Sequence, residues 1–114
     1  MTTFTVNDIK EQVLLLNINV TYKEGMTEDE VLWVAQRAWR IDEKRKNNPD
    51  YAIAIYKNEV KGVFEILSWH KDEFEKGRWA FKGKIAEQSI RNKYMKTIEN
   101  NWQQGRESLR YINC

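Results

Sequence analysis

The chain has 114 residues, the usual length of one domain, so we predict a single domain over residues 1–114. Apolar residues make up 41% and charged residues 32% of the sequence, with one proline and five glycines. This composition argues against a disordered, collagen-like or low-complexity chain. The formal net charge of +2 indicates no partner by itself.

Cysteine and histidine are almost absent. Cys114 is the single cysteine and His70 the single histidine, which excludes a disulfide framework and Cys-based or multi-histidine metal sites. The first 20 residues contain Asp8 and Glu11 and lack a basic start followed by an apolar stretch, so no secretory signal is expected. No apolar run approaches the roughly 18 residues that span a bilayer. We therefore predict a cytoplasmic protein with no cofactor and no membrane partner.

The first strong elements in chain order are a strand and a helix. Residues 12–20 are rich in Val, Leu and Ile, and the run at 13–16 is apolar at every position, which predicts a strand covered on both faces. Thr27 and Glu30 have capping-box spacing, so a helix is predicted at about 28–39. Its apolar face has helical spacing and comprises Val31, Val34, Ala35, Ala38 and Trp39.

A hairpin is predicted next, after a charged loop that ends in a turn at Pro49. Tyr51–Tyr56 alternates small alanines with large isoleucines, which is typical of a strand. A short connection at 57–59 leads to a second arm at 60–69, and Gly62 within that arm indicates a bulge or bend. Predicted core positions in these elements and the next are Leu14, Leu16, Val34, Ala38, Ile53, Ile55, Val63, Phe64, Ile66 and Phe81.

The last third contains short elements. We predict a polar loop at 70–77, a strand at 78–83, helices at 85–95 and 97–104, and a final strand at 109–113. The whole order predicts an α+β fold. Its sheet is expected to be a small curved antiparallel sheet or an open β-barrel, with helices over an end or an edge.

Charged residues are unevenly distributed along the chain, and aromatic residues are numerous. Residues 1–77 hold 11 Lys and Arg against 14 Asp and Glu, whereas residues 78–114 hold 8 against 3. Five Trp, five Tyr and four Phe exceed what so small a core needs. Exposed aromatic rings beside basic residues bind bases and phosphates, although a basic region is equally often a solvated face.

Several strings together resemble one superfamily. They are A-W-R-I at 38–41, Y-A-I-A-I-Y at 51–56, V-K-G-V-F-E-I at 60–66, S-W at 68–69, R-W-A-F-K-G at 78–83 and L-R-Y-I-N at 109–113. They are similar to the PUA-like superfamily of small barrels, which includes PUA, ASCH, EVE and YTH domains. The likeness spans roughly residues 36–113 and is greatest to small bacterial domains that occur alone or behind nuclease modules. No such module is present in this sequence.

The resemblance implies nucleic-acid binding, to RNA or DNA, with one modified base held in an aromatic pocket in some members. Such a site needs aromatic walls and basic residues for phosphates. The candidate walls are Trp39, Trp69 and Trp79, each of which could instead pack in the core. The candidate polar contacts are Arg40, His70, Arg78, Lys82 and Arg110. We predict a concave site that brings Trp39 or Trp69 together with these arginines and Lys82.

Catalytic signatures are absent from the sequence. It contains no G-x-S-x-G, no phosphate-binding glycine loop and no metal-ligand spacing, and a site using Glu59 or Glu65 with Lys61 has little support. Two function classes remain open. The first is a non-catalytic nucleic-acid-binding domain, and the alternative is a mobile-element or defence-related accessory domain that binds a protein partner such as a nuclease.

Overall fold

The computed structural model describes residues 3–99, 102–103 and 108–114. The described residues form an α+β fold, as predicted, with seven strands, two α-helices and a short 3-10 turn at Val6–Asp8. In chain order the elements are β1 (Thr3–Phe4), β2 (Val13–Asn17), α1 (Glu28–Ala35), β3 (Tyr51–Tyr56), β4 (Glu59–Lys71), β5 (Trp79–Ile85), α2 (Gln88–Tyr94), β6 (Thr97–Ile98) and β7 (Leu109–Ile112). Within these residues, no helix is long and apolar enough to cross a membrane.

All seven strands belong to one sheet of order β1–β6–β4–β3–β2–β7, and β5 pairs with β4 outside this path. The sheet is mixed rather than antiparallel, because β2 pairs with β3 and β1 pairs with β6 in parallel. Strands β2 and β3 are parallel because the connection through α1 returns the chain to the end of the sheet at which β2 begins. Among the described residues the sheet is open and does not close into a barrel.

The β3–β4 hairpin has the predicted position. Its two turn residues, Lys57 and Asn58, have φ values of 47° and 67°. Two successive left-handed residues form the turn that matches the twist of the flanking strands. Tyr51–Tyr56 then pairs antiparallel with the first half of β4, and Phe64–Lys71 pairs with β5. The long strand β4 therefore joins two parts of the sheet.

Gly62 lies at the predicted irregularity in β4. The pairing register shifts opposite Ala54 and Ile55, so that Lys61 is the extra residue of a bulge. A Cβ at Gly62 would lie 2.3 Å from the Phe64 ring. Glycine is therefore needed here because the ring covers the backbone, and the bulge bends the strand.

Apolar side chains cover both faces of the sheet. The first cluster comprises Phe4, Ile9, Val13, Leu15, Ile53, Ile55, Val60, Val63, Ala86, Ile90, Tyr94, Ile98, Trp102 and Ile112. The second cluster comprises Leu14, Leu16, Ile18, Val31, Ala35, Trp39, Ala52, Ala54, Phe64 and Phe81. The predicted double cover of residues 13–16 and the predicted alternation of β3 are thus confirmed. Helix α2 contributes to the first cluster and α1 to the second.

Helix α1 is shorter than predicted. The capping box is present, with the Thr27 hydroxyl accepting from the Glu30 N–H at 3.2 Å, but the helix ends at Ala35 and not at Trp39. Ala38 has a φ of 65°, and Trp39 pairs with Trp79 of β5. The chain leaves the helix because it makes long-range backbone bonds to the sheet. Three positions predicted as core are only half-buried: Val34 within α1, Ala38 after it, and Ile66 in β4.

Other boundaries also differ from the predictions. The first predicted C-terminal helix begins at Gln88 rather than 85, because Ile85 is still paired with Phe64. The predicted helix at 97–104 is wrong at its start, where Thr97–Ile98 forms β6 beside β1; its positions 100, 101 and 104 lie outside the described residues. Strand β2 ends at Asn17, whose side chain accepts from the Asn19 N–H at 2.8 Å and turns the chain.

Candidate functional site

A pocket of about 890 Å³ lies between the chain that follows α1 and the strand β7. Its lining consists of residues 38–40, Asp42, Arg45, Arg78 and residues 108–111; we call it the seam pocket. Side chains of a strand alternate between the two faces of a sheet. A pocket that contacts four consecutive residues of β7 and its approach therefore runs along the edge of the strand.

One side of the seam pocket is formed by residues 38–42, which we call the wall segment. Trp39 exchanges two backbone hydrogen bonds with Trp79, at 2.9 and 2.8 Å. Its indole N–H donates to the Ala35 carbonyl at 2.6 Å, and the residue is only 9% exposed. Trp39 is thus a core residue with one small surface in the pocket. It fixes the wall rather than offering a broad stacking face.

A buried carboxylate holds the wall segment in place. Asp72 accepts hydrogen bonds from the N–H groups of Ala38 (2.9 Å), Phe74 (2.8 Å) and Glu75 (3.0 Å). Its side chain is 1% exposed and lies 3.7 Å from Arg37. The Phe74 N–H is the main group that lowers the pKa of Asp72 below its ordinary value, with help from Glu75, Ala38 and Arg37, while burial opposes the effect. The ionised carboxylate therefore fixes the left-handed turn at Ala38.

The other side of the pocket is β7 with the charged loop folded against it. The Tyr111 hydroxyl accepts from the Asp42 N–H at 2.9 Å. The Arg45 guanidinium lies over the Tyr111 ring, 5.0 Å from its centroid. Burial raises the pKa of Tyr111 above its ordinary value, so the phenol is neutral at physiological pH. These contacts join the loop to the edge strand.

Four arginines contribute to the lining: Arg40, Arg45, Arg78 and Arg110. Arg78 donates to the Ala38 carbonyl at 3.2 Å and Arg110 to the Trp102 carbonyl at 2.8 Å. Within the described part of the chain, none of the four forms an ion pair with a carboxylate. Asp42 is the single acidic residue among the described residues of the lining. The pocket is therefore positively charged, and its guanidinium groups suit phosphate or carboxylate oxygens.

The structure places four of the sequence-predicted site residues in this pocket and four outside it. Trp39, Arg40, Arg78 and Arg110 line it. Trp69 instead packs edge-on against Phe81, with ring centroids 5.3 Å apart, and its buried indole N–H has no acceptor among the described residues. Trp79 lies beside the wall segment, but its ring is covered by the Lys46 ammonium at 4.4 Å.

His70 and Lys82 are also remote from the seam pocket. His70 lines a separate small groove of about 140 Å³. Two exposed aromatic residues, Trp33 and Phe74, lie at the same groove and are 61% and 74% exposed. Lys82 is exposed on β5 opposite Ser68 and lines neither cavity.

Six of the lining residues were not identified as site residues from the sequence, and three of them, Arg45, Tyr111 and Asp42, make contacts that shape the pocket. Arg45 lies in the basic run 44–46, which is typical of a solvated loop, and nothing local shows that this loop folds onto β7. Tyr111 follows Arg110 in the predicted last strand, so the alternation of that strand was the available signal. Asp42 contributes through its backbone N–H, which no residue-type pattern indicates.

Metal binding has no support within residues 3–99, 102–103 and 108–114, where no group of three or more His, Cys, Asp and Glu side chains could hold an ion. No family model, curated protein or solved structure matches the chain. The similarity to the PUA-like superfamily therefore stays a hypothesis that rests on the strings quoted above.

Proposed function

We propose that this protein is a non-catalytic nucleic-acid-binding domain whose seam pocket holds one base and the phosphates next to it. The observation that carries the proposal is the group of four arginines around one concave site, none of them neutralised by a described carboxylate. A pocket of about 890 Å³ is within the size range of small-ligand sites. It can therefore hold a nucleotide unit.

The residues divide the chemistry between them. Arg40 is an exposed residue of the wall segment, and its planar guanidinium can bind a phosphate with two parallel hydrogen bonds. Arg45 is exposed over the Tyr111 ring, so its guanidinium can stack on a base as well as contact a phosphate. The PUA-like resemblance implies nucleic-acid binding and, as in some members of the superfamily, a base that carries a modification. We propose it for this pocket on that ground, in RNA or DNA.

Binding to labelled oligonucleotides tests the proposal. Single- and double-stranded DNA and RNA, with and without modified bases, are titrated at about 50 and 200 mM salt, because phosphate contacts weaken steeply over that range. We expect Arg40→Gln to weaken binding about tenfold, the loss of one charge-assisted contact. It should also reduce the salt dependence by about one unit.

Lys82→Gln is the matched control, since it removes the same charge from an exposed position outside the pocket. We expect its affinity to equal that of the wild type. A larger loss for Lys82→Gln than for Arg40→Gln would place the interface elsewhere. If no oligonucleotide binds at the lower salt, the protein-partner alternative becomes the better proposal, and the exposed Trp33 and Phe74 are the apolar surface it would use.

A further inference from the structure

Within the part of the chain that the structure describes, the backbone of β7 pairs on one side only, with β2. Asn17 donates its N–H to the Ser108 carbonyl at 2.8 Å, which fixes the alternation of the antiparallel β2–β7 pair. In that alternation the backbone groups of Arg110 face β2. The N–H and C=O groups of Leu109 and Tyr111 therefore point away from β2, along the free edge of the sheet.

That free edge borders the seam pocket. Residues 108–111 all contact the pocket, and among the described residues no backbone group pairs with the outward groups of Leu109 and Tyr111. On the opposite side, Trp39 uses both of its backbone groups on Trp79. Through this one bridge, the wall segment borders the β5 side of the sheet. The pocket is a gap between two sheet edges, and a planar group with matching donors and acceptors would fill it.

We propose that the outward N–H and C=O groups of Leu109 or Tyr111 read the Watson–Crick edge of one unpaired uracil-type base. This inference rests on the proposed nucleic-acid binding and specifies its ligand. In such a base, O4 accepts a hydrogen bond next to N3–H, which donates one. One outward-facing strand residue offers the complementary donor and acceptor, so two hydrogen bonds form and the base extends the sheet. Other bases also carry an adjacent donor and acceptor, but the lining arginines Arg40, Arg45, Arg78 and Arg110 can only donate. They therefore favour a uracil-type base, which has a second carbonyl, O2, and no amino group in need of an acceptor.

The geometry defines which modifications the pocket accepts. The base edge that carries N3 faces β7, so a methyl group on N3 removes the donor and occupies the position of the strand's hydrogen bond. A methyl group on carbon 5 leaves that edge unchanged. A base in a duplex uses the same edge for its pairing partner, so the ligand is single-stranded or has its base turned out of the helix.

Three RNAs of about ten nucleotides test the proposed contact with a uracil-type base. One small domain can cover an RNA of that length. The three RNAs consist of uridine, of 5-methyluridine and of 3-methyluridine, all of equal charge. We expect the first two to bind alike and the third to bind about tenfold more weakly, the discrimination typical of one bidentate base contact. The backbone amide resonances of Leu109 or Tyr111 should shift with the uridine RNA and not with the 3-methyluridine RNA.

The outcomes distinguish failure of the proposed uracil contact from failure of the proposed nucleic-acid binding. Equal binding of all three RNAs, or binding of the uridine RNA with both amide resonances unmoved, overturns the backbone reading and leaves nucleic-acid binding intact. If none of these RNAs and no DNA of the same length binds at about 50 mM salt, where phosphate contacts are strongest, both proposals fall.

A backbone variant gives a second measurement. Leu109→Pro removes one outward N–H and keeps the ladder bonds to β2, and proline is tolerated on an edge strand where its missing N–H faces outward. We expect this variant to lose discrimination between uridine and 3-methyluridine, whereas Leu109→Val, which keeps the N–H, retains it. If folded Leu109→Pro still discriminates between uridine and 3-methyluridine and the Tyr111 amide resonance shifts, Tyr111 is the residue that contacts the base. If it still discriminates and the Tyr111 resonance does not shift, the proposal is overturned. If the proline variant does not fold, the amide shifts of the wild type decide.

Discussion

The β3–β4 hairpin and the wall segment both contact the second cluster, but different forces hold them. The hairpin contributes Ala52, Ala54 and Phe64, all fully buried, and its turn is formed by two adjacent residues. The wall segment contributes one buried ring, that of Trp39, and the half-buried Ile41, and its backbone is fixed by directional bonds to Trp79 and Asp72. Apolar burial thus stabilises the hairpin, whereas a few polar contacts determine the shape of the wall.

Because of this difference, changes in the hairpin should act mainly on stability, and changes at the wall segment mainly on binding. Loss of packing in the hairpin should destabilise the whole domain, because the second cluster spans β2, β3, β4, β5 and α1. Loss of a polar contact at the wall segment should cost less stability and alter the seam pocket more. The predictions below test the comparison with changes that act on one region at a time.

The largest expected effect is that of Phe64→Ala. The ring is fully buried and lies against the backbone of Gly62, so its removal leaves a cavity that the sheet cannot close. We expect the free energy of unfolding to fall by roughly 3–5 kcal/mol, measured by chemical denaturation. Leu67→Ala is a control on the same strand, because Leu67 is 48% exposed and should change stability little. A loss below about 1 kcal/mol for Phe64→Ala would contradict the assigned faces of β4.

An intermediate effect is expected for Asp72→Asn. The substitution removes the charge that three backbone N–H groups and Arg37 face. The free energy of unfolding should fall by roughly 1–3 kcal/mol. Weaker oligonucleotide binding should accompany this loss, because the wall segment moves. Glu73→Gln, an adjacent change at an exposed position, should leave both quantities unchanged.

The same variant has a pH signature. The pKa of Asp72 is lowered in the folded protein, so the unfolded chain binds more protons in the acidic range and stability falls as the pH drops. The contribution is complete above the unfolded pKa of about 4 and is lost as the pH falls through the folded value. The stability difference between wild type and Asp72→Asn should therefore shrink below about pH 4. A difference that stays constant from pH 7 to pH 3 would show that the charge has no part in fixing the wall.

The hairpin could be predicted from the sequence because its determinants are local. The alternation of Tyr51–Tyr56, the turn at Lys57 and the bulge at Gly62 are each visible within a few residues. The end of α1 could not be predicted in the same way. The helical spacing continues to Trp39, and the bonds that turn the chain at Ala38 come from Asp72 and Trp79, far along the sequence. Strand β6 is equally non-local, since it depends on β1.

The candidate site was likewise partly predictable. Arg40, Arg78 and Arg110 are candidates because they are the arginines within the strings that resemble the PUA-like superfamily, and the fold brings all three to one pocket. The same pattern also chose Lys82 and Trp69, because residue type and spacing do not show at which end of the bent sheet a position lies. Only the pairing of β4 with β5 and of Trp39 with Trp79 separates the two groups.

The smallest effect on stability, with a clear effect on binding, is expected for Arg45→Gln. Arg45 lies over Tyr111 and lines the seam pocket, whereas its neighbour Lys44 is exposed and lines neither cavity. Loss of the exposed cation–π contact should lower the free energy of unfolding by roughly 0.5–1 kcal/mol. Oligonucleotide affinity should fall about tenfold, because a guanidinium that contacts base or phosphate is lost. Lys44→Gln makes the same change of charge in the same loop and should leave affinity unchanged. Equal losses in the two variants, measured at the same salt concentration, would show that the loop acts through its total charge and that the seam pocket is not a specific site.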